Sequence, residues 1–563
     1  MSHIRCLIIL QHHLHVPYAI DCVCVDVLVL KLGPGWEAKV LGAKYDEIAE
    51  KYIQTHQQAI STDSAQQIFK AFVEHGGCKP GPGSRRLPDS NEKCELGAVD
   101  RSIDHNGRRI SSGSAFLTKD VRSLPNFKLI VKSNARRVLF EGTKAVGVEY
   151  VNSTGTVQTV KAKKEVVLSA GVYVSPQLLM LSGIGPKKTL DKFNIPVVAD
   201  SPSVGENYQD HPLWSLTFEA PITTGMDKHQ PEATFTLAGS YRSSLVKDTD
   251  EWDIFFSMAN PQYVGNGTMR FDISILLYSK IENRGTVSLR GDSIDDLPKI
   301  NYTVLKPKFD IDRALEATNY VRGVIKKMGG TEIYPAQWIK TGRYADDIDF
   351  LRKTAFLVWH GVGTNSIGKV VDQELRVKGV SNLRVADNSI VNHVPNANTQ
   401  TSAYMVGFHG ADIILGEKFE WKVNYPSCTR GNACGQPATK QKGTVKCYRL
   451  TGEHTFEVED KMCTENKPAA ERTCPATPPC GEWNRIERHH AFCMNCFLTP
   501  CPFYLNTPRQ PDATPPITHT FIIDMQPPLT SPRSCLKLSK SPSHYVYIMY
   551  IYIRTHATCT YAH

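Results

Sequence analysis

The sequence lacks any stretch near the roughly 18 apolar residues that a membrane-spanning helix needs, and it lacks a block of basic residues. The second absence removes the electrostatic footprint of a nucleic-acid surface, and the net charge of +9 over 563 residues is mild. No cysteine stands between Cys94 and Cys428, although the chain has 16. Five precede that gap (Cys6, Cys22, Cys24, Cys78 and Cys94), and the others crowd the end. A long cysteine-free stretch beside a dense cluster points to two kinds of protein joined end to end, the second suited to an oxidising compartment. The opening MSHIRCLIIL has a short apolar run but no convincing cleavage site, so it makes a poor secretory signal. What is present is 41% hydrophobic and 21% charged, the balance of a globular chain long enough for two or three domains.

Hydrophobic periodicity predicts mixed α/β structure. Across residues 43–76 apolar positions recur at three- and four-residue spacing, predicting a helix stopped by Gly76-Gly77. Residues 78–113, rich in glycine, proline and charge, read as loop. FKLIV (127–131), RRVLF (136–140) and AVGVEYV (145–151), separated by turn residues, predict a small antiparallel sheet, and KKEVVLSAG (163–171) a further strand. CVCVDVLVLKL, ending at Leu32, reads as a buried strand. TFTLAG, WDIFFSM, FDISILLY and GTVSLRG within 214–305 are candidate strands. Residues 310–329 form an amphipathic helical pattern, and 403–416 a last helix. No internal repeat is present.

At Ala170-Gly171 a strand gives way to a helical pattern, and the glycine lets the backbone turn sharply and approach a ligand. Ser175-Pro176 is expected to open that helix, with proline in the first turn. Such a junction faces a cofactor phosphate or ring in some folds and is an ordinary turn in others. The pattern alone leaves both open.

The segment SAGVYVSPQLLMLSGIGP (169–186) resembles the second signature of the glucose–methanol–choline oxidoreductases, and VGENYQDHP (204–212) is similar to their next block. PGWEAKVLGAKYDE (34–47), NGRRISSGSAFL (106–117) and FEGTKAVGVEY (140–150) match the family's phrasing. So do VWHGVGTNSIG (358–368) and residues 370–416. The resemblance covers about residues 33–417. It implies an FAD-dependent enzyme oxidising an alcohol to a carbonyl, with hydride passing to the flavin. The implied fold class is α/β (α+β), a Rossmann-like FAD-binding domain plus a substrate domain with an antiparallel sheet. The family opens with a strand and a Gly-x-Gly-x-x-Gly turn. Here Gly33-Pro34-Gly35 is the only candidate and precedes no regular βαβ unit, so the FAD domain is expected to be incomplete.

By the same resemblance the catalytic histidine falls on His360, and the second active-site position, histidine or asparagine in the family, on Asn398. Asp387 and Asn388 fall where the family holds the flavin side chain and pyrophosphate. Thr399 and Gln400 fall beside the isoalloxazine, and Trp359 among the cofactor contacts. Ala135 takes the position whose backbone meets adenine, usually a valine. A neutral imidazole suits removal of the hydroxyl proton, and an amide donor suits the developing alkoxide. Gly361 replaces the usual proline, and Asn365-Ser366-Ile367 a Cys-x-Met-like run. The implied partners are a small alcohol and an electron acceptor (oxygen, quinone or other), with no nucleic acid.

From about Pro426 proline, cysteine, threonine and charge dominate. Cys428, Cys434, Cys447, Cys463, Cys474 and Cys480 make an even count in a small polar segment, which reads as a disulfide framework. Their surroundings resemble a thrombospondin type 1 repeat, which implies an extracellular location and contact with matrix. Zinc is the rival reading, but no paired Cys-x-x-Cys framework with histidines occurs there. Cys493 and Cys496, near His489 and His490, have that spacing but lie in a low-complexity tail, so no metal site is assigned. The expected organisation is 1–32 unassigned, 33–213 a partial FAD-binding domain, 214–356 mainly substrate-binding, and 357–417 the catalytic and FAD-contacting block. A disulfide-rich β module follows at 421–483. The tail, 484–563, reads as disordered or artefactual; its end, HYVYIMYIYIRTHATCTYAH (544–563), alternates a few residue types as a translated short nucleotide repeat would, with a β-hairpin or membrane-associating tail as the alternative. An FAD-dependent alcohol oxidoreductase is the first functional reading; a catalytically dead extracellular binding protein using the cysteine repeat is the second.

Overall fold

The computed structural model describes residues 4–11, 36, 41, 48–52, 55–57, 62–81, 92–98, 100–104, 106, 108–223, 235–247, 251–259, 261–396, 398–415, 418–425, 439–451, 454–458, 467–474 and 546–551. Two compact units are present, one built from residues 1–415 and 544–563, the other from 416–543. The predicted strand 22–32 and Gly33-Pro34-Gly35 lie outside the described residues, as does 484–563 apart from one strand.

In chain order the first unit contains β1 (Ile4–Gln11), α1 (Asp63–Gly76), β2 (Cys94–Ala98), β3 (Phe127–Glu141), β4 (Lys144–Val151), β5 (Val157–Ser169) and α2 (Gly171–Leu181). Then follow β6 (Pro212–Pro221), β7 (Phe235–Tyr241), β8 (Ile254–Ala259), β9 (Thr268–Leu277), α3 (Lys308–Lys327), β10 (Leu383–Val385) and α4 (Thr399–Leu415). The second unit has β11 (Lys418–Asn424), β12 (Thr444–Thr451) and β13 (His454–Val458); β14 (Val546–Ile551) returns to the first.

One sheet has the order β1-β14-β3-β4-β5-β10, with β1 also pairing β5. Its character changes along single strands. The first half of β5 is largely exposed and pairs antiparallel with β4, whereas Glu165–Leu168 are buried and pair in parallel with β1 and β10. The residues explain it: VQTVKAKK is polar, but VVL is a continuous apolar run that tolerates cover on both faces. β3 behaves likewise, so the two short strands predicted at 127–131 and 136–140 are one strand whose second half pairs with β4.

The other sheet has nine strands and runs through β6-β9-β8-β7-β2. Along β9, Met269, Phe271, Ile273 and Ile275 alternate inward, and β6 answers with Trp214, Leu216, Phe218 and Ala220. Helix α3 buries Ile311, Ala314, Ala317, Val321 and Val324. Trp214 Nε1 donates to Thr318 Oγ1 of this helix at 3.0 Å.

Several expectations are corrected. The helix predicted over 43–76 is not continuous: a π-turn at Ile48–Tyr52 and a strand at Thr55–Gln57 precede α1. Thr62 accepts from Ala65 N as the N-cap of α1, and Gly77, at φ 73°, ends it. The loop read over 78–113 contains β2, next to the edge of the nine-stranded sheet, and a disulfide joins Cys78 to Cys94. β6, at 212–221, was not predicted. Helix α2 opens at Gly171 and not at Ser175, which places Pro176 inside it. The last helix starts at Thr399, four residues early. Within the tail expected to be disordered, Val546–Ile551 pairs with β1 and β3.

In the second unit β11, β12 and β13 form an antiparallel sheet, and Thr439–Lys442 pairs with Glu471–Cys474. Cys447, buried in β12, is disulfide-bonded. Lys467 lies over the Trp421 ring at 5.1 Å and Arg472 over Tyr425 at 4.7 Å.

Candidate active site

Strand β5 delivers the chain to Gly171, whose φ of 81° favours glycine. Asp387 latches this corner. Its Oδ2 accepts from Gly171 N at 2.9 Å and Ser175 Oγ at 2.5 Å, while Oδ1 accepts from Ser389 N at 2.8 Å. Pro176 has no N–H for the Val172 carbonyl one turn back, and the buried Thr364 hydroxyl donates to that carbonyl instead, at 2.6 Å. The first turn of α2 is thereby tied to the 358–368 loop.

That loop runs antiparallel to the segment leading into β6. Gln209 bridges Val362, and Pro212 pairs with Leu357. Between those positions one side holds Asp210 and His211, the other Val358, Trp359, His360 and Gly361, so the longer side must bulge. Trp359 takes the strain at φ 60°, a conformation rare for a bulky residue, and stands 64% exposed. His360 is turned inward, Nδ1 to Nδ1 against His211 at 2.8 Å. Glycine at 361 is required by its surroundings: a Cβ there would meet Val172 Cγ1 at 2.7 Å and Tyr208 Cε2 at 3.0 Å.

The hydrogen bonds settle the tautomers. His211 Nε2 lies 2.8 Å from Tyr278 O and 2.9 Å from Pro395 O. Carbonyls only accept, so Nε2 carries the hydrogen and His211 Nδ1 offers a lone pair. His360 Nδ1 must then donate, which leaves the lone pair of His360 on Nε2. Burial holds His211 down at about 4, and burial together with His211 holds His360 well below the ordinary imidazole value. Both rings are neutral at neutral pH. Tyr278 also orients the amide, since its hydroxyl donates to Asn398 Oδ1 at 3.1 Å and so makes the Asn398 nitrogen the donor end.

Asp210 completes the cluster. Oδ1 accepts from His211 N at 2.7 Å and His360 N at 2.9 Å, and Oδ2 from Tyr208 OH at 2.9 Å. Tyr208 OH in turn lies 2.6 Å from Tyr173 OH. Burial pushes the Asp210 carboxyl up to about 7.

The network brings His360 and Asn398 together through His211 and Tyr278. Asn388 and Thr399 adjoin it: Asn388 Nδ2 donates to Thr399 O at 2.8 Å, and Thr399 opens α4. Gln400 Nε2 reaches Tyr404 OH at 3.4 Å along the same helix. Ala135 is not part of this cluster; it is buried in β3, paired with Tyr150 of β4. Sequence reasoning missed Asp210, His211 and Tyr278. The first two stand in the block VGENYQDHP, where an acid and a histidine before proline were a usable signal; Tyr278 closes an ordinary strand pattern.

The profile described as GMC oxidoreductase matches residues 33–213 in its N-terminal part and 282–407 in its C-terminal part, together over half of the chain. An oxygen-dependent choline dehydrogenase of Brucella ovis is 34% identical over 387 residues, 62% of this chain and 68% of that protein. A glucose-methanol-choline family oxidoreductase of Annulohypoxylon moriforme is 31% identical over 363 residues, 55% of this chain. The chain spans 60% of that relative's length. Among solved structures, a fungal aryl-alcohol oxidase superposes with a TM-score of 0.56 at 20% identity, over 70% of this chain and 83% of that one, a likeness of fold. With both profile halves matched in order around the His360 and Asn398 cluster, this chain belongs to the GMC oxidoreductase family.

Proposed function

We propose that this chain carries the reacting centre of an FAD-dependent alcohol oxidoreductase, with His360 as proton acceptor and Asn398 as donor to the substrate oxygen. The observation that carries the reading is the tautomer chain from Tyr278 O and Pro395 O through His211, which presents an unprotonated His360 Nε2. The donor set fits the reacting end of a flavin: a neutral imidazole, an oriented amide and an exposed indole at Trp359. Trp359, Thr399 and Gln400 would meet the ring, with Asp387 and Asn388 beside it. When bound, FAD supplies the hydride acceptor. His360 Nε2 takes the hydroxyl proton, the Asn398 nitrogen donates to the oxygen as charge develops, and His211 keeps the imidazole from turning. A dead-scaffold reading leaves this prepared geometry without purpose.

The substrate is a small alcohol, and the relatives make choline and aryl alcohols the first to try. The electron acceptor is oxygen, a quinone or another oxidant. The Cys78–Cys94 bridge and the bonded Cys447 support an oxidising, extracellular setting. For the second unit, antiparallel strands carrying a bonded cysteine, with cations over Trp421 and Tyr425, support a thrombospondin type 1-like module and contact with matrix.

The test is anaerobic. Purified chain is mixed with FAD, then with choline, benzyl alcohol and a wider alcohol panel, and flavin absorbance is followed by stopped flow. Bleaching by one alcohol, abolished in His360→Ala at unchanged flavin binding, is expected. No bleaching by any alcohol would sink the reading.

A further inference from the structure

We propose that Asp210 is the positioning residue of this site, holding His211 and His360 in mutual register through one carboxylate oxygen and anchoring that register to α2 through the other. The inference rests on the functional reading of His360 and adds a residue to it.

Four residues facing two cannot keep ladder pairing throughout, and the His360 N–H bonds to a side chain in place of a cross-strand carbonyl. An N–H withdrawn from water needs an acceptor, and Asp210 Oδ1 supplies it to this part-buried group at 2.9 Å. The same oxygen takes His211 N at 2.7 Å. Two main chains that share one acceptor atom cannot slide past each other without losing a bond, and the Nδ1–Nδ1 contact of 2.8 Å depends on that. Oδ2 is held by Tyr208 OH, and Tyr208 by Tyr173 of α2, the helix latched by Asp387. The groups facing the carboxylate are Tyr208, His211 and His360, with Tyr173 behind Tyr208 and Tyr302 OH 3.5 Å from the Asp210 carbonyl. No cation is among these contacts. An acid recruited only to stabilise a fold is ordinarily paired with a cation or exposed; this one is buried and bonded to the main chains of two histidines.

The test reads tautomers, which needs neither cofactor nor substrate. Histidine-selective ¹⁵N labelling of the full chain, with His211→Ala and His360→Ala for assignment, reports which nitrogen of each ring is protonated. Wild type is expected to show one tautomer at His360, protonated at Nδ1. Asp210→Asn keeps an oxygen able to accept both N–H groups and should keep that single state. Asp210→Ala should show a mixture at His360 and loss of the ring-to-ring hydrogen bond. A single Nδ1–H state in folded Asp210→Ala, or a mixture already in Asp210→Asn, would overturn the proposal. If Asp210→Ala does not fold, Tyr208→Phe decides: it frees only Oδ2, so the carboxylate can swing and the tautomer should become mixed. An unchanged His360 in that variant would overturn the proposal. An absence of alcohol-driven flavin reduction bears on the functional reading and leaves this measurement standing.

Discussion

Two buried polar clusters lie a few residues apart in this molecule and are built on opposite principles. Around Arg313, a fully buried guanidinium sits between two carboxylates, 3.3 Å from Asp253 Oδ2 and 2.9 Å from Asp310 Oδ1. It also donates to Ser279 O at 2.7 Å and Lys280 O at 3.0 Å, and its face covers Phe309. Around Asp210 no cation enters among the described residues; the carboxylate is held by three neutral donors, and the two adjacent imidazoles are kept uncharged. The first arrangement compensates charge and holds shape. The second keeps its imidazoles neutral, which leaves a ring nitrogen able to take a proton. They meet at one residue: Tyr278 N donates to Asp253 O at 2.8 Å, while Tyr278 O and its hydroxyl orient His211 and Asn398. One backbone hydrogen bond thus links the two clusters.

If that division holds, mutations in the two clusters should fail in different measurements. The largest effect belongs to His360→Ala, which should slow alcohol-driven flavin reduction by about 10²–10⁴-fold, the usual worth of general-base assistance, with little change in thermal stability. Asn398→Ala should slow it less, and the double variant should fall short of the product if both groups serve one oxygen. Equal loss of stability in His360→Ala would blur the comparison. Arg313→Met should do the reverse. Removing the cation strands two buried carboxylates, which commonly costs about 3–5 kcal/mol, readable by urea unfolding. Folded Arg313→Met that retains wild-type stability would break the contrast.

The pH dependence of stability sharpens it further. Folded His211 resists protonation down to about 4, whereas the unfolded chain takes a proton near 6.5. Stability is therefore lost as pH falls from about 6.5 toward 4, by roughly 3 kcal/mol for this ring at the lower end. His360 acts in the same direction. Asp210 opposes them, because its folded carboxyl, pushed up to about 7, keeps a proton that the unfolded chain releases above its ordinary 3.8. The contributions oppose one another, and His211→Gln should remove the share of this ring, so that stability falls less on acidification than in wild type. A wild-type slope in His211→Gln, measured by thermal unfolding between pH 4 and 7, would show that the ring is not the source.

Much of this was legible in the chain. Alternation predicted β8 and β9, and the apolar spacing of 310–329 predicted α3. His360 and Asn398 stood inside recognisable blocks. What escaped was what pairwise geometry decides. Asp210 and His211 carry no periodic signal, and their importance comes from a bulge created by the count of residues on a distant segment. β2 hid in a stretch whose glycine and proline content reads as loop, yet its backbone bonds to β7 along its whole length. The early start of α2 escaped for a related reason. Proline ordinarily marks a first turn, and only a distant hydroxyl lets Pro176 sit deeper.

That hydroxyl gives the smallest effect and the cleanest measurement. Thr364 Oγ1 donates to Val172 O, the carbonyl that Pro176 cannot serve. Thr364→Val keeps shape and removes the donor, leaving a buried carbonyl without it, at a cost of about 1–3 kcal/mol. Pro176→Ala restores an amide that the same carbonyl can use, although it also loosens the unfolded chain. That second effect is the same whether residue 364 is threonine or valine, so it cancels in a double-mutant cycle. Thr364→Val should therefore cost less in the Pro176→Ala background than in wild type, by about 1 kcal/mol on chemical denaturation. Equal costs in both backgrounds would mean that the hydroxyl does not stand in for the missing amide. The register of α2 beneath Tyr173 would then have to be held by the Asp387 latch alone.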